Sequence, residues 1–285
     1  EFNIITIPGV TAQGVTDYIL DVTEDRGDAI AIIDLEKVYE AQSENTKSYK
    51  DRNSFSISQA VDTLRERGIN NSYGACYYPW VRIQDTVSGQ ALWAPPSVAA
   101  LGAFSFNDRV RAPWYAPAGF ARGGLSEGAG GVPVLDVSRR LTSDERDDLY
   151  AAGINPIAQF PAEGIVIFGQ KTLQRTRSAL DRINVRRLMV FLKKEISFIA
   201  SRMLFDQNTQ STWNRFIGQA EPILRSVQSR FGLEEFRLIL DESTTTPDLV
   251  DRNIIYAKIL LKPTRTAEFF AIDFVITNTG ASFAD

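Results

Sequence analysis

The chain has 285 residues, 44% of them hydrophobic and 23% charged, which excludes disordered and fibrous classes and supplies one large or two modest cores. With 31 basic against 35 acidic residues the formal charge is -4, so no global field recruits nucleic acid or an acidic membrane. The chain contains no histidine, which removes Ser-His-Asp and Cys-His nucleophile activation, imidazole general bases and histidine-ligated zinc.

Residues 2–7 form a short apolar run closed by Pro8-Gly9, and residues 11–24 predict a helix with Val15, Ile19 and Val22 inward. The chain opens inside what reads as a strand, without an initiator methionine, and is expected to be a fragment of a longer protein. Residues 29–35 lack alternation, as a strand buried on both faces does. Residues 56–67 predict a helix on Ile57, Val61 and Leu64, and residues 73–80 another buried strand. That strand holds the single cysteine, Cys76, read as a buried thiol in a chain without an internal disulfide and suited to a reducing compartment. Strand alternating with helix predicts a parallel sheet with crossover helices. The polar stretch 36–55 reads as a surface loop at the carboxyl end of the second strand, where α/β sheets often carry a site.

Pro95-Pro96 opens a helix over 97–109 rich in small residues, and the Gly- and Pro-rich stretch after it predicts a hinge or subdomain boundary between residues 119 and 133. The expected division is therefore an α/β subdomain over 1–133 and a second domain over 134–285. Thr142 or Ser143 caps the next helix, which ends at Gly153, and two short strands follow around Pro161.

The longest signal lies in residues 181–231. Val185, Leu188, Met189, Leu192, Ile196, Ile199 and Met203 recur at three- and four-residue steps, with Arg186, Lys193, Ser197 and Ser201 opposite. Phe191, Phe198 and Phe205 form a second apolar row, so the helix is expected to be covered on two sides. Trp213, Phe216, Ile217, Ala220, Leu224, Val227 and Phe231 define a second helix, which Pro222 is expected to kink or divide. Strands are predicted over 236–240, 254–261 and 269–277, the last being apolar and suited either to an internal edge or to pairing with another chain. No run approaches the roughly 18 apolar residues of a membrane-spanning helix.

Chemical motifs are weak. Gly164 to Thr172 half resembles a phosphate loop, but Gln170 puts Lys171 out of step and the intervening residues read as a buried strand. The carboxylates Asp34 and Glu36, Asp147 and Asp148, and Glu234 and Glu235 read as solvated charges. Between Lys171 and Arg202 nine basic residues face two acidic ones. That asymmetry reads either as a solvated helix face or as a docking face for an acidic protein surface. Nucleic acid is disfavoured because no aromatic residues are interleaved on the polar face.

Several ordered motifs resemble the contractile-tail sheath proteins of long-tailed phages and related injection systems. They are Ala112-Pro113-Trp114-Tyr115-Ala116-Pro117-Ala118-Gly119 with Arg122-Gly123, Leu149-Tyr150, Gly153-Ile154-Asn155-Pro156-Ile157, Asp181-Arg182-Ile183-Asn184-Val185-Arg186-Arg187-Leu188, and residues 247–253. The resemblance covers about residues 112–283, and before that only the α/β pattern carries it. It implies an α/β class, with a non-catalytic, parallel-sheet, subtilisin-like subdomain followed by an α+β polymer-forming sheath domain with two long helices and terminal strands. It implies stacked hexameric rings around a tail tube, with tube, baseplate and tail-terminator proteins as partners, and a place in the virion tail after assembly in the host bacterial cytoplasm. No enzyme activity, cofactor, metal, nucleic acid or membrane insertion is implied. Arg182, Arg186, Arg187, Lys193 and Lys194 would face the tube or a neighbouring subunit. Phe269, Ile272, Phe274, Ile276 and Phe283, in an arm over 269–285, would be exchanged between subunits. Without an N-terminal arm the chain alone is expected to be a monomer or weak oligomer. The rival readings are an α/β hydrolase using Asp34, Glu36 and Asp51 around the 36–55 loop, and a nucleic-acid module using the basic helix.

Overall fold

The computed structural model describes residues 2–36, 38, 56–127 and 131–269. Most of the 36–55 loop, including Asp51, lies outside the described residues, as do Ile272, Phe274, Ile276 and Phe283.

Strand β1 (Ile4–Thr6), helix α1 (Gln13–Arg26), β2 (Ile30–Ile33), α2 (Ile57–Glu66) and β3 (Gly74–Tyr78) lay down three parallel strands in succession. The chain continues through β4 (Val81–Gln84), β5 (Ala91–Ala94), α3 (Pro96–Val110), β6 (Val134–Val137) and α4 (Ser143–Ala151) to the hairpin β7 (Asn155–Phe160) and β8 (Gly164–Ile167). β7 pairs parallel with β3 and antiparallel with β8, giving a five-stranded sheet in the order β1-β2-β3-β7-β8. This sheet runs across the boundary expected near residue 133.

The absence of alternation in β2 and β3 has a direct cause. Ile30, Ile32, Ala75 and Tyr77 pack against Ala100, Ala103 and Phe104 of α3, while Ala31, Ile33, Cys76 and Tyr78 pack against α1, α2 and α4. Cys76 is fully buried, and burial pushes its thiol up to about 12. In α1 the inward face is Thr16, Ile19, Leu20 and Thr23, whereas Val15 is exposed. Both threonines can be buried because their hydroxyls donate to helix carbonyls, Thr23 to Ile19 O at 2.5 Å and Thr16 to Gln13 O at 3.1 Å.

A three-stranded antiparallel sheet, β5-β4-β6, was not expected from the sequence. The segment read as a hinge or subdomain boundary is also tied down at its start. Gly119 N donates to Ile167 O at 2.9 Å, Ile167 N to Gly123 O at 2.8 Å and Leu125 N to Ile165 O at 2.8 Å, so residues 119–125 run along β8. A Cβ on Gly123 would sit 2.6 Å from Ile167 O, a backbone atom that cannot yield.

Asp34 is not solvated. It is 1% exposed at the end of β2 and accepts from Gly9 N at 2.8 Å, Ser97 N at 3.2 Å and Ser97 Oγ at 2.7 Å. It thereby ties the loop after β1 to the first turn of α3, where free amides and the helix dipole favour a carboxylate. Burial, partly offset by those hydrogen bonds, raises its pKa from 3.8. The folded state therefore keeps a proton that the unfolded chain has released. This contribution to stability is fully present below the unfolded pKa and is lost as pH rises through the raised folded value. Asp34→Asn cannot titrate. Its stability relative to wild type is expected to improve as pH rises above the unfolded carboxylate value of about 3.9, read from urea midpoints, and parallel pH profiles would contradict this.

The described residues after β8 include α5 (Ile183–Ser201), α6 (Gln210–Ser229), β9 (Leu233–Ile239), α7 (Pro247–Asp251) and β10 (Lys258–Pro263). Leu188, Leu192 and Ile199 of α5 meet Trp213, Phe216, Ala220, Leu224 and Val227 of α6 in two adjoining apolar clusters. α6 runs undivided through Pro222. The ring removes the donor to Gly218 O, but Gly218 is exposed, so water can replace that bond while the buried face holds the helix. The second apolar row of α5 is only partly covered. Phe191 packs on Trp114 with centroids 5.3 Å apart, whereas Phe198 and Phe205 are exposed. The helix ends before Phe205, which adopts φ 70° in the turn toward α6.

Candidate assembly surface

The five cations expected on an outward face of α5 are each committed to a partner within the chain. Arg187 is 3% exposed, 2.5 Å from Asp108 Oδ2, with its guanidinium 4.7 Å from the Phe104 ring centroid. Arg186 is 7% exposed, stacks 3.8 Å from the Tyr73 centroid and donates to Ser72 Oγ. Burial lowers its pKa below the usual arginine value. Lys193 donates to Arg26 O at 2.9 Å, at the C-terminal end of α1, where the helix dipole favours a cation. Lys194 donates to Phe2 O, and Arg182, at the start of α5, pairs with Glu268 and Asp181. Arg186, Arg187, Lys193 and Lys194 thus tie α5 to the α/β part, Lys193 while staying exposed, and Arg182 ties its start to residue 268. Arg186 and Arg187 belong to the interior.

The surface that is open is a different one. β9 and β10 pair antiparallel, from Lys258 opposite Ile239 to Lys262 opposite Glu235. Phe236, Leu238, Ile259 and Leu261 point inward onto α5 and α6, whereas Glu234, Arg237, Lys258, Leu260 and Lys262 are exposed. Among the described residues this sheet has two strands, so each strand keeps one edge without a partner. Residues 264–269 follow directly, ending at Phe269, which is 81% exposed.

Trp114 and Tyr115 connect this layer to the α/β part. Trp114 Nε1 and the Tyr115 hydroxyl both donate to Arg230 O, at 3.1 and 3.0 Å, just past the end of α6. Gly232 lies against Trp114, where a Cβ would approach within 2.9 Å.

The model of the phage tail sheath protein central domain matches residues 1–173, and that of the phage tail sheath C-terminal domain matches residues 176–277. The chain belongs to the phage tail sheath family. The tail sheath protein of Vibrio phage KVP40 is 38% identical over 201 residues, covering 70% of this chain and 29% of that protein. The tail sheath protein of Enterobacteria phage T4 is 32% identical over 191 residues, covering 67% of this chain and 28% of that protein. The chain therefore spans under a third of the length of these curated relatives. The fold is mixed α/β and matches the sheath complex of an extracellular contractile injection system in the contracted state, with TM-score 0.76 at 22% identity over 96% of this chain and 71% of that one. It also matches the contracted helical sheath of the anti-feeding prophage, with TM-score 0.71 at 24% identity over 96% of this chain and 70% of that one.

The family sets aside the hydrolase reading. Both Asp34 oxygens are already occupied by protein donors. Sequence reasoning missed the partners that engage the cations, chiefly Asp108, Phe104 and Glu268. It also missed the β9–β10 pairing, although the alternation at 258–263 was a signal for it.

Proposed function

We propose that this chain is the assembling part of a contractile tail sheath subunit in a virion tail. Its N-terminal part is then a subtilisin-like α/β unit without protease chemistry, and its C-terminal part forms the polymer. The observation that carries this is the β9–β10 hairpin, sealed on one face and open at both edges among the described residues. An open edge offers N–H and C=O groups that an extended segment of another chain can complete. Residues 269–285 of a neighbouring copy, with Phe269, Ile272, Phe274, Ile276 and Phe283, are the proposed donor.

Subunits joined in this way can rotate as rigid bodies while their shared strands hold, repacking from an extended to a contracted lattice. Stacked hexameric rings would surround a tail tube, between a baseplate and a terminator. The work is the free-energy difference between two sets of interfaces, repeated along the tail, and consumes no nucleotide. The experiment is to place proline at Ile272 and Phe274 in the protein expressed from its natural gene and follow tube formation by electron microscopy. Tubes formed as by wild type would count against strand exchange.

A further inference from the structure

Residues 264–269 leave β10 and cross a cleft of about 1140 Å³ lined by α2, α4, the loop after β8 and the start of α5. One carboxylate dominates that crossing. Glu268 accepts from the Tyr150 hydroxyl at 2.8 Å, Gln170 Nε2 at 3.2 Å, and Arg182 through Nε at 2.7 Å and a terminal nitrogen at 3.1 Å. Both carboxylate oxygens are used, and the Arg182 contact is the two-pronged, charge-assisted kind. The receptor is itself well built. Gln170 is 3% exposed, and Lys171 lies 4.3 Å from the Tyr150 ring centroid while donating to Tyr150 O at 2.6 Å.

Among the described residues the remaining ties of this segment are neutral and few. Thr264 N donates to Gly232 O at 3.2 Å, and Asn184 Nδ2 donates to Thr266 Oγ1 at 3.1 Å. Arg265, Thr266, Ala267 and Phe269 are exposed, so little apolar burial holds the segment down.

We propose that Glu268 is a latch: its carboxylate, seated in the receptor of Tyr150, Gln170 and Arg182, holds residues 264–269 against the body. The segment swings away only when that seat is vacated. Because one side chain supplies the charged contacts and its neighbours are exposed, the cost of release is concentrated at a single position. The latch is a property of one chain and holds whether or not the chain assembles.

The single cysteine makes the test clean. Cys76 is buried and its thiol is pushed up to about 12, so a nitroxide reagent will label an introduced cysteine at the exposed position Ala267. In otherwise wild-type protein carrying Ala267→Cys, the spectrum is expected to show a restrained label. Glu268→Ala should convert it to a mobile one and speed tryptic cleavage after Arg265 by at least about tenfold, since charge-assisted hydrogen bonds set the local opening equilibrium. Glu268→Gln keeps the size without the charge and should fall between. Tyr150→Phe removes one of four bonds and should move least. A label equally restrained in Glu268→Ala protein that is otherwise folded would overturn the latch. So would a Glu268→Ala change that loosens α5 and α6 as much as the segment.

Discussion

Arg187→Ala is expected to lower unfolding free energy by about 3–5 kcal/mol, the range for breaking one partner out of a buried ion pair. The guanidinium does three things at once. It neutralises Asp108 at 2.5 Å, lies over the Phe104 ring and fills space between α3 and α5. Asp108 keeps 29% of its side chain exposed, so its orphaned charge regains some water, which pulls the effect toward the lower end of the range. Cavity formation pulls the other way. Arg187→Met, which restores bulk without charge, should cost less than alanine. Asp108→Asn should cost much of what alanine does, because the buried cation then loses its counter-charge. Denaturant midpoints at constant slope measure all three. A loss under about 1 kcal/mol for Arg187→Ala would place the pair among surface ion pairs, against its burial.

Proline at Ile272 and Phe274 is expected to abolish tube formation by the protein expressed from its natural gene while leaving the thermal midpoint of the chain alone within a degree or two. Each proline removes a ladder donor, and two on one short segment leave too few bonds to hold it at a sheet edge. At about 1 kcal/mol net per hydrogen bond, losing two per exchanged strand already changes each contact roughly thirtyfold, and a polymer multiplies that over every subunit. The subunit is expected to be spared because the clusters joining α5, α6, β9 and β10 are built among the described residues from side chains before residue 264. A fall in the thermal midpoint together with assembly would point instead to a structural role within the subunit.

The contrast between these two predictions follows what local sequence can carry. The parallel strands were legible because the 29–35 and 73–80 runs are apolar on both faces. Two helix starts were written in capping boxes, Ser56 with Gln59 and Thr142 with Glu145. β4 and β5 were missed because four-residue strands with mixed polarity give too few repeats to show a period. The basic row of α5 was visible, but its meaning was not. A helical wheel shows which side a cation occupies and nothing of what lies across from it. Asp108 is 79 residues from Arg187, Glu268 is 86 from Arg182 and Phe2 is 192 from Lys194. Arg182, Arg186 and Arg187, which looked available to a partner, are paired or buried inside the chain, and the open edge is backbone, which carries no residue signature beyond alternation.

The most direct measurement is a cryo-electron microscopy map of tubes assembled by the protein expressed from its natural gene, at a resolution that traces strands. The strand-exchange account predicts that β9–β10 gains at least one further strand, contributed by residues 269–285 of a neighbouring copy. Tubes in which the hairpin remains two-stranded, with subunits held by side-chain contacts alone, would contradict it.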